Sequence, residues 1–276
     1  MIRLAMRCDP DAAEMVLANL LELAPNGVEE ERGPGFVEFA VYGPPGEIPD
    51  LGEIRAAAGG ALVDVTTTSV PDDWADRWAD FHKPIEVGGR IGVRPSWWEP
   101  KEGLIDVLVD PGQAFGTGGH PTTRLSLGLM LALEEGGEAS GAIADWGTGS
   151  GVLAIAAAKL GWAPVTACDR ELAALEAAEA NAEVNDVEIA IERVDVREGA
   201  PPVAPTVIAN LTANLLRDCA GHLSAPGSDR PNALVCSGML EEETDGVAEA
   251  FDASGLAVVE RRVEGEWAAL LLRAGS

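Results

Sequence analysis

Lysine is almost missing from this chain, with three residues against sixteen arginines, and bases are few overall: 19 against 46 acids. A net charge of −27 excludes the broad basic face that a phosphate backbone needs, so direct nucleic-acid binding is not expected. The same charge would draw in a basic protein partner at long range. A compositional bias toward Ala, Gly and Arg would produce it equally well, so the charge can only support a function found elsewhere. No apolar run reaches 18 residues, which excludes a membrane-spanning helix. The opening MIRLAMRCDPDAAEMV breaks into charge too early for a secretory signal, and a cytoplasmic chain is expected. Cys8, Cys168, Cys219 and Cys236 form no C-x-x-C pair, and His82, His120 and His222 are equally scattered. Metal-ligand spacing is therefore absent, and the cysteines read as reduced core residues. The single tyrosine, Tyr42, leaves no Tyr-x-x-x-Lys pair for hydride chemistry.

What is present is a change of rhythm along the chain. The first seventy residues read β-α-β-β-α-β: strands at IRLAMR, VEEER, FVEFAVY and ALVDVTTTSV, with helices after Asp9-Pro10 and over about 51–58. That order is the ferredoxin-like split pattern. PDDWADRWADFHKP then predicts a short helix stopped by Pro84, with Trp74, Trp78 and Phe81 on one face. IEVGGRIGVRP follows as a Gly-Gly hairpin. From about residue 104, strands alternate with helices over 121–133, 152–160, 171–182, 213–223 and 240–253. The strands are LIDVLVD, GAIAD, PVTACD, IAIERVD, PTVIAN, NALVCSG, LAVVERRV and WAALLLR. Alternation of this kind implies an α/β fold with a mostly parallel sheet covered on both faces. Ligands bind such sheets beyond the carboxyl ends of the strands, which nominates Gly147, Asp169, Asp195 and Asn210 as one rim.

Two glycine-rich loops carry Gly-Thr-Gly. The second, Asp145-Trp146-Gly147-Thr148-Gly149-Ser150-Gly151, follows a strand and opens a helix, so its backbone can cradle a ligand against free N–H groups. Asp169, at the end of the next strand, can accept from both hydroxyls of a ribose. The spacing suits a dinucleotide as well as S-adenosylmethionine. Only about 107 residues follow Asp169, too few for a second mononucleotide half plus a substrate domain, which favours S-adenosylmethionine.

DPGQAFGTGGHPTTR, DWGTGSGVLAIAAAKLG and ANLTANLL, in that order, resemble the PrmA family, the methyltransferases of ribosomal protein L11. The likeness extends to WADRWADFHKP, PSWWEP and EGEWAALLL, and covers nearly the whole chain. It implies a class I methyltransferase-type (Rossmann-like) mixed sheet over 85–276. A ferredoxin-like substrate-recognition domain over 1–70 and a linker helix over 71–84 would precede it. It also implies S-adenosylmethionine as cofactor, and lysine side chains and an α-amino group of L11, a basic protein, as acceptors. A monomer is expected. By position, Thr123, Gly147, Asp169 and Asn210 match the family's cofactor contacts, and Phe115, Gly116 and Thr117 would lie over the cofactor as a wall. Asp145, Thr148, Gly149 and Asp195 complete the cofactor set, and Asn210 with the Leu211 carbonyl would orient the amine. Gly119 replaces a larger residue usual in the family, and His120 reads as structural or lid-forming. The other readings are a methyltransferase of another lysine-bearing protein, a nicotinamide oxidoreductase and a non-catalytic cofactor binder.

Overall fold

The computed structural model describes residues 2–13, 16, 20, 29–33, 35–43, 62–69, 83–110, 119–225 and 227–275. The chain divides into two compact units, Met1–Phe81 and His82–Ser276. In the first, β1 (Ile2–Cys8), β2 (Glu29–Gly33), β3 (Phe36–Gly43) and β4 (Leu62–Ser69) form a sheet of order β2-β3-β1-β4, antiparallel throughout. This is the order that a split β-α-β-β-α-β chain produces. Leu4, Met6 and Cys8 alternate onto one face of β1 and bury against helical Ala13, Val16 and Leu20 and strand residues Val37 and Phe39. On β3, Glu38 accepts from Arg3 and Arg7 at 2.7 Å each, which holds its carboxyl below the usual range. The helix expected over 51–58 and residues 71–82 of the expected linker lie outside the described residues.

The second unit begins with a small sheet of β5 (Ile85–Val87), β6 (Ile91–Arg94) and β7 (Ile105–Leu108). β5 and β6 are antiparallel around Gly88 and Gly89, both at positive φ, as a tight Gly-Gly hairpin requires. The strand expected to open the large sheet at LIDVLVD is β7, and it pairs in parallel with β6 instead. Arg94 fixes that pairing by a two-pronged bond to Asp106, 2.7 and 2.8 Å.

The large sheet runs β10-β9-β8-β11-β12-β14-β13. Its strands are β8 (Ile143–Trp146), β9 (Val165–Asp169), β10 (Ala190–Arg193), β11 (Thr206–Asn210), β12 (Ala233–Leu240), β13 (Leu256–Glu264) and β14 (Trp267–Ala274). The first five are mutually parallel, and β14 runs antiparallel to both neighbours. The helices are α1 (Pro121–Glu135), α2 (Val152–Leu160), α3 (Leu172–Val184), α4 (Ala213–Leu223) and α5 (Thr244–Asp252). α1 and α2 pack in one apolar cluster on one face, and α4 and α5 in another on the opposite face, so the central strands are buried on both sides. Where a helix was expected from residue 240, β12 instead runs on to Leu240, paired with Trp267. A 3₁₀ turn, Glu241–Glu243, intervenes before α5. All four cysteines are free and buried, and burial pushes the Cys168 thiol up to about 12. Among the described residues no helix is long and apolar enough to cross a membrane, and no group of three acidic, His or Cys side chains could hold a metal ion.

The chain leaves β8 outward to β9 and β10, then returns to lay β11 on the other side of β8. This reversal opens a crevice at the carboxyl ends of β8 and β11. The small sheet is tied to the carboxyl end of α3 through Asn185, whose Oδ1 accepts from Leu108 N (2.9 Å) while its Nδ2 donates to Leu108 O (2.6 Å) and Asn181 O (2.7 Å). Replacing Asn185 by Ala strips both Leu108 groups of their partner. A loss of about 2 kcal/mol is expected, read as a lower urea midpoint at unchanged slope.

Candidate functional site

The local sequence explains how each wall of the crevice is made. Past β8 the backbone must turn sharply, and Gly147, Gly149 and Gly151 all sit at positive φ. The amides of Gly147 and Thr148 donate to Cys168 O at 2.9 and 3.0 Å, which pins the loop to the end of β9. Asn181 on α3 donates to Ser150 O at 2.8 Å. A Cβ on Gly151 would lie 3.2 Å from Ala178, so loop and α3 touch closely. From β11, Leu211 leans over the loop: a Cβ on Gly147 would fall 2.2 Å from Leu211 Cδ2. From β12, Gly238 (φ +88) meets the same residue's backbone, where a Cβ would lie 2.5 Å from Leu211 O. Leu211 N donates to Ser237 O at 3.0 Å.

These walls enclose a cavity of about 440 Å³. Gly147, Asp169, Asp195 and Asn210, the four residues grouped as strand-end rim, line it together with Gly149 and Leu211. Asp169 Oδ2 accepts from Gly149 N and its Oδ1 from Glu171 N, each at 3.0 Å, so the carboxylate is aimed by backbone on both sides. Arg197 clamps Asp195 through Nε (2.9 Å), Nη2 and its backbone N–H (3.0 Å), which holds that carboxyl well below the ordinary range. Asn210 Oδ1 is buried without a hydrogen-bond partner.

Phe115, Gly116 and Thr117 lie outside the described residues. Thr122, not Thr123, lines the cavity; Thr123 is fully buried, its Oγ1 unpartnered. Asp145 and Thr148 are buried in the loop and do not line the cavity. Thr148 Oγ1 donates to Asp145 Oδ2 at 2.7 Å, and Asp145 Oδ1 has no partner. Burial pushes the Asp145 carboxyl up to about 7, aided by the Asp169 charge and opposed by the Thr148 hydroxyl and the Ala154 backbone.

Several cavity residues had not been singled out as site residues, among them Gly238, Arg170 and Trp267. Gly238 lies in β12 two residues before its end, where the sequence pattern NALVCSG stops, so the strand-end rule applied to that pattern would have found it. Arg170 follows Asp169 directly. Trp267 enters from β14, whose antiparallel insertion no local pattern announces. Its ring meets that of His120 edge to face, centroids 4.6 Å apart and planes at 71°. His120 caps α1: its Nδ1 accepts from Thr122 N at 3.3 Å and lies 2.8 Å from Thr122 Oγ1. Burial, then the Arg124 charge, holds the imidazole below its usual pKa, with Glu264 opposing.

A family model described as "Ribosomal protein L11 methyltransferase (PrmA)" matches residues 53–274. The chain belongs to that family. It is 40% identical over 227 residues to the ribosomal protein L11 methyltransferase of Pelotomaculum thermopropionicum, covering 79% of this chain and 71% of that one. With the protein of the same name from Geotalea uraniireducens it shares 38% over 224 residues, 76% and 70% of the two chains. The crystal structure of ribosomal protein L11 methylase from Lactobacillus delbrueckii subsp. bulgaricus superposes with a TM-score of 0.61 at 28% identity, over 70% of this chain and 99% of that one. The fold is that of class I methyltransferases, and the cofactor of the family is S-adenosylmethionine. The residues present fit such a group. The glycine cradle has no room for a side chain, a backbone-aimed carboxylate stands at the end of the second strand, and the buried Asn210 oxygen lacks a partner.

The Asp145 carboxyl gives a pH signature. Its folded pKa lies above the unfolded value, so the stabilisation it lends is complete below about pH 4 and is lost as pH rises through 7. An Asp145→Asn variant should lack this decline. Subtracting its pH–stability curve from that of the native protein should leave a difference on the order of 4 kcal/mol between pH 4 and pH 8.

Proposed function

We propose that this chain methylates amine nitrogens, lysine side chains and an α-amino group, on ribosomal protein L11, with residues 85–276 performing the transfer. Residues 1–70 would recognise the protein substrate and 71–84 connect the two. The observation that carries the reading is Asn210: a buried amide oxygen with no partner, at the end of β11 and in the same cavity as the glycine cradle. An unpartnered buried acceptor is costly, and a substrate N–H would satisfy it.

In this reading Asp169 accepts from the ribose hydroxyls, and the Gly147–Gly149 backbone approaches the methionine end of the cofactor. Asp195 is kept ionised by Arg197 as an acceptor on the adenosine side. Thr123 and the 115–117 stretch belong to the same proposed set. When bound, S-adenosylmethionine would supply a sulfonium-activated methyl group for transfer to nitrogen. Asn210 Oδ1 and the Leu211 carbonyl would hold the amine so that its lone pair faces that methyl. A lysine has a pKa of about 10.4 and must first lose a proton, which a water-poor cavity favours by penalising the charged form. Alignment supplies much of the rate. The −27 charge supports a basic protein as partner and disfavours nucleic acid.

The test is an intact-mass assay with purified chain, S-adenosylmethionine and unmodified L11. Stepwise addition of methyl groups is expected. Asn210→Ala should lower turnover about 100-fold, well beyond its effect on cofactor binding by calorimetry, since Asn210 belongs to the proposed cofactor set as well as to the amine site. Asp169→Asn should instead weaken cofactor binding by about 10- to 100-fold. Clear cofactor binding with no transfer to L11 would overturn the substrate assignment and direct the search to other lysine-bearing proteins.

A further inference from the structure

We propose that the part of the cavity formed by Trp267, His120 and Asn210 is an ammonium subsite, in which the Trp267 ring holds the methylated acceptor, in its protonated or quaternary form, by cation–π attraction between transfers. This deepens the methyl-transfer reading and rests on it.

The lining is divided into a charged and an uncharged side. The charged side chains Asp169, Arg170 and Asp195 follow β9 and β10, on one side of the chain reversal. On the other side, α1, β11, β12 and β14 contribute His120, Thr122, Asn210, Gly238 and Trp267, none of which carries a formal charge when the imidazole is neutral. Burial favours that neutral form. The charged groups that act on His120, Arg124 of α1 and Glu264 of β13, are bonded to each other, Nε to Oε1 at 2.9 Å, and largely cancel. Among the described residues, an amine entering on this side has an amide oxygen and aromatic rings as partners, and the carboxylates of Asp169 and Asp195 line the opposite side of the same cavity.

That choice matters for a nitrogen that is methylated more than once. Each methyl group removes an N–H, so an acceptor such as Asn210 loses its grip as the reaction proceeds. A ring face attracts the positive charge whatever the number of methyl groups. The ring is also held firmly. Trp267 begins β14, is paired with both Leu240 and Glu264, and has His120 against it at 4.6 Å. Trp267 is a positioning residue here, distinct from the groups that hold the cofactor.

The test uses the protein saturated with S-adenosylhomocysteine, titrated calorimetrically with choline and with its uncharged tert-butyl isostere. Choline is expected to bind about tenfold more tightly than the isostere or better. Trp267→Ala should abolish that preference, Trp267→Phe should retain most of it, and both should bind S-adenosylhomocysteine within about twofold of the native protein. Equal binding of the two probes by the native protein would overturn the subsite. So would a Trp267→Ala variant whose S-adenosylhomocysteine affinity falls as much as its choline affinity, since the ring would then be a wall of the cofactor site. A Trp267-dependent choline preference in a protein that does not methylate L11 would leave the subsite standing and sink the substrate assignment alone.

Discussion

Leu211 occupies a position where two neighbouring strands have given up their side chains. Gly147 after β8 makes room for its isobutyl group, and Gly238 within β12 makes room for its backbone. Steric exclusion on both sides fixes where β11 ends. The end of β11 in turn sets Asn210 beside the glycine cradle. Positive φ at both glycines means that neither a larger side chain nor a relaxed turn could substitute for this arrangement. The parallel register of β8 with β11 and of β11 with β12 brings the ends of β8 and β11 level with Ser237 of β12, so the contact follows from backbone pairing rather than from loop conformation.

Around that contact the polar groups fall into two kinds. Asp169 and Asp195 are aimed by partners, backbone amides in one case and Arg197 in the other. Asn210, Thr123 and Asp145 keep buried oxygens without partners. Preorganised carboxylates suit the permanent features of a cofactor, while unspent hydrogen-bonding capacity suits groups that arrive and leave. The buried Asp145 tolerates the absence of a partner because its pKa has moved toward neutrality, where losing the charge costs little.

Much of this was legible in the residues. Glycine spacing after GAIAD and acids or amides at strand ends are local signals, and the topology of a parallel sheet converts them into one rim. That is why Gly147, Asp169, Asp195 and Asn210 could be grouped without coordinates. Thr122 and Thr123 could not be separated in this way, since which of two adjacent threonines faces the cavity depends on how α1 is rotated by its His120 cap. The strand at LIDVLVD has the composition of a large-sheet strand, and only its pairing with Arg94 sends it to the small sheet. Trp267 was hidden for a different reason: its proximity to His120 spans almost 150 residues and depends on β14 slipping between β12 and β13.

That insertion divides the cavity between two lengths of chain. β13 has no neighbour in the sheet other than β14, so the β13–β14 hairpin is attached to the sheet through β14 alone. The strands from β8 to β12 and the turns after them carry the glycine cradle, Asp169 and Asn210, and the hairpin adds Trp267. In the proposed reading, the parts that hold cofactor and the ring that faces the acceptor thus come from separable pieces of one sheet.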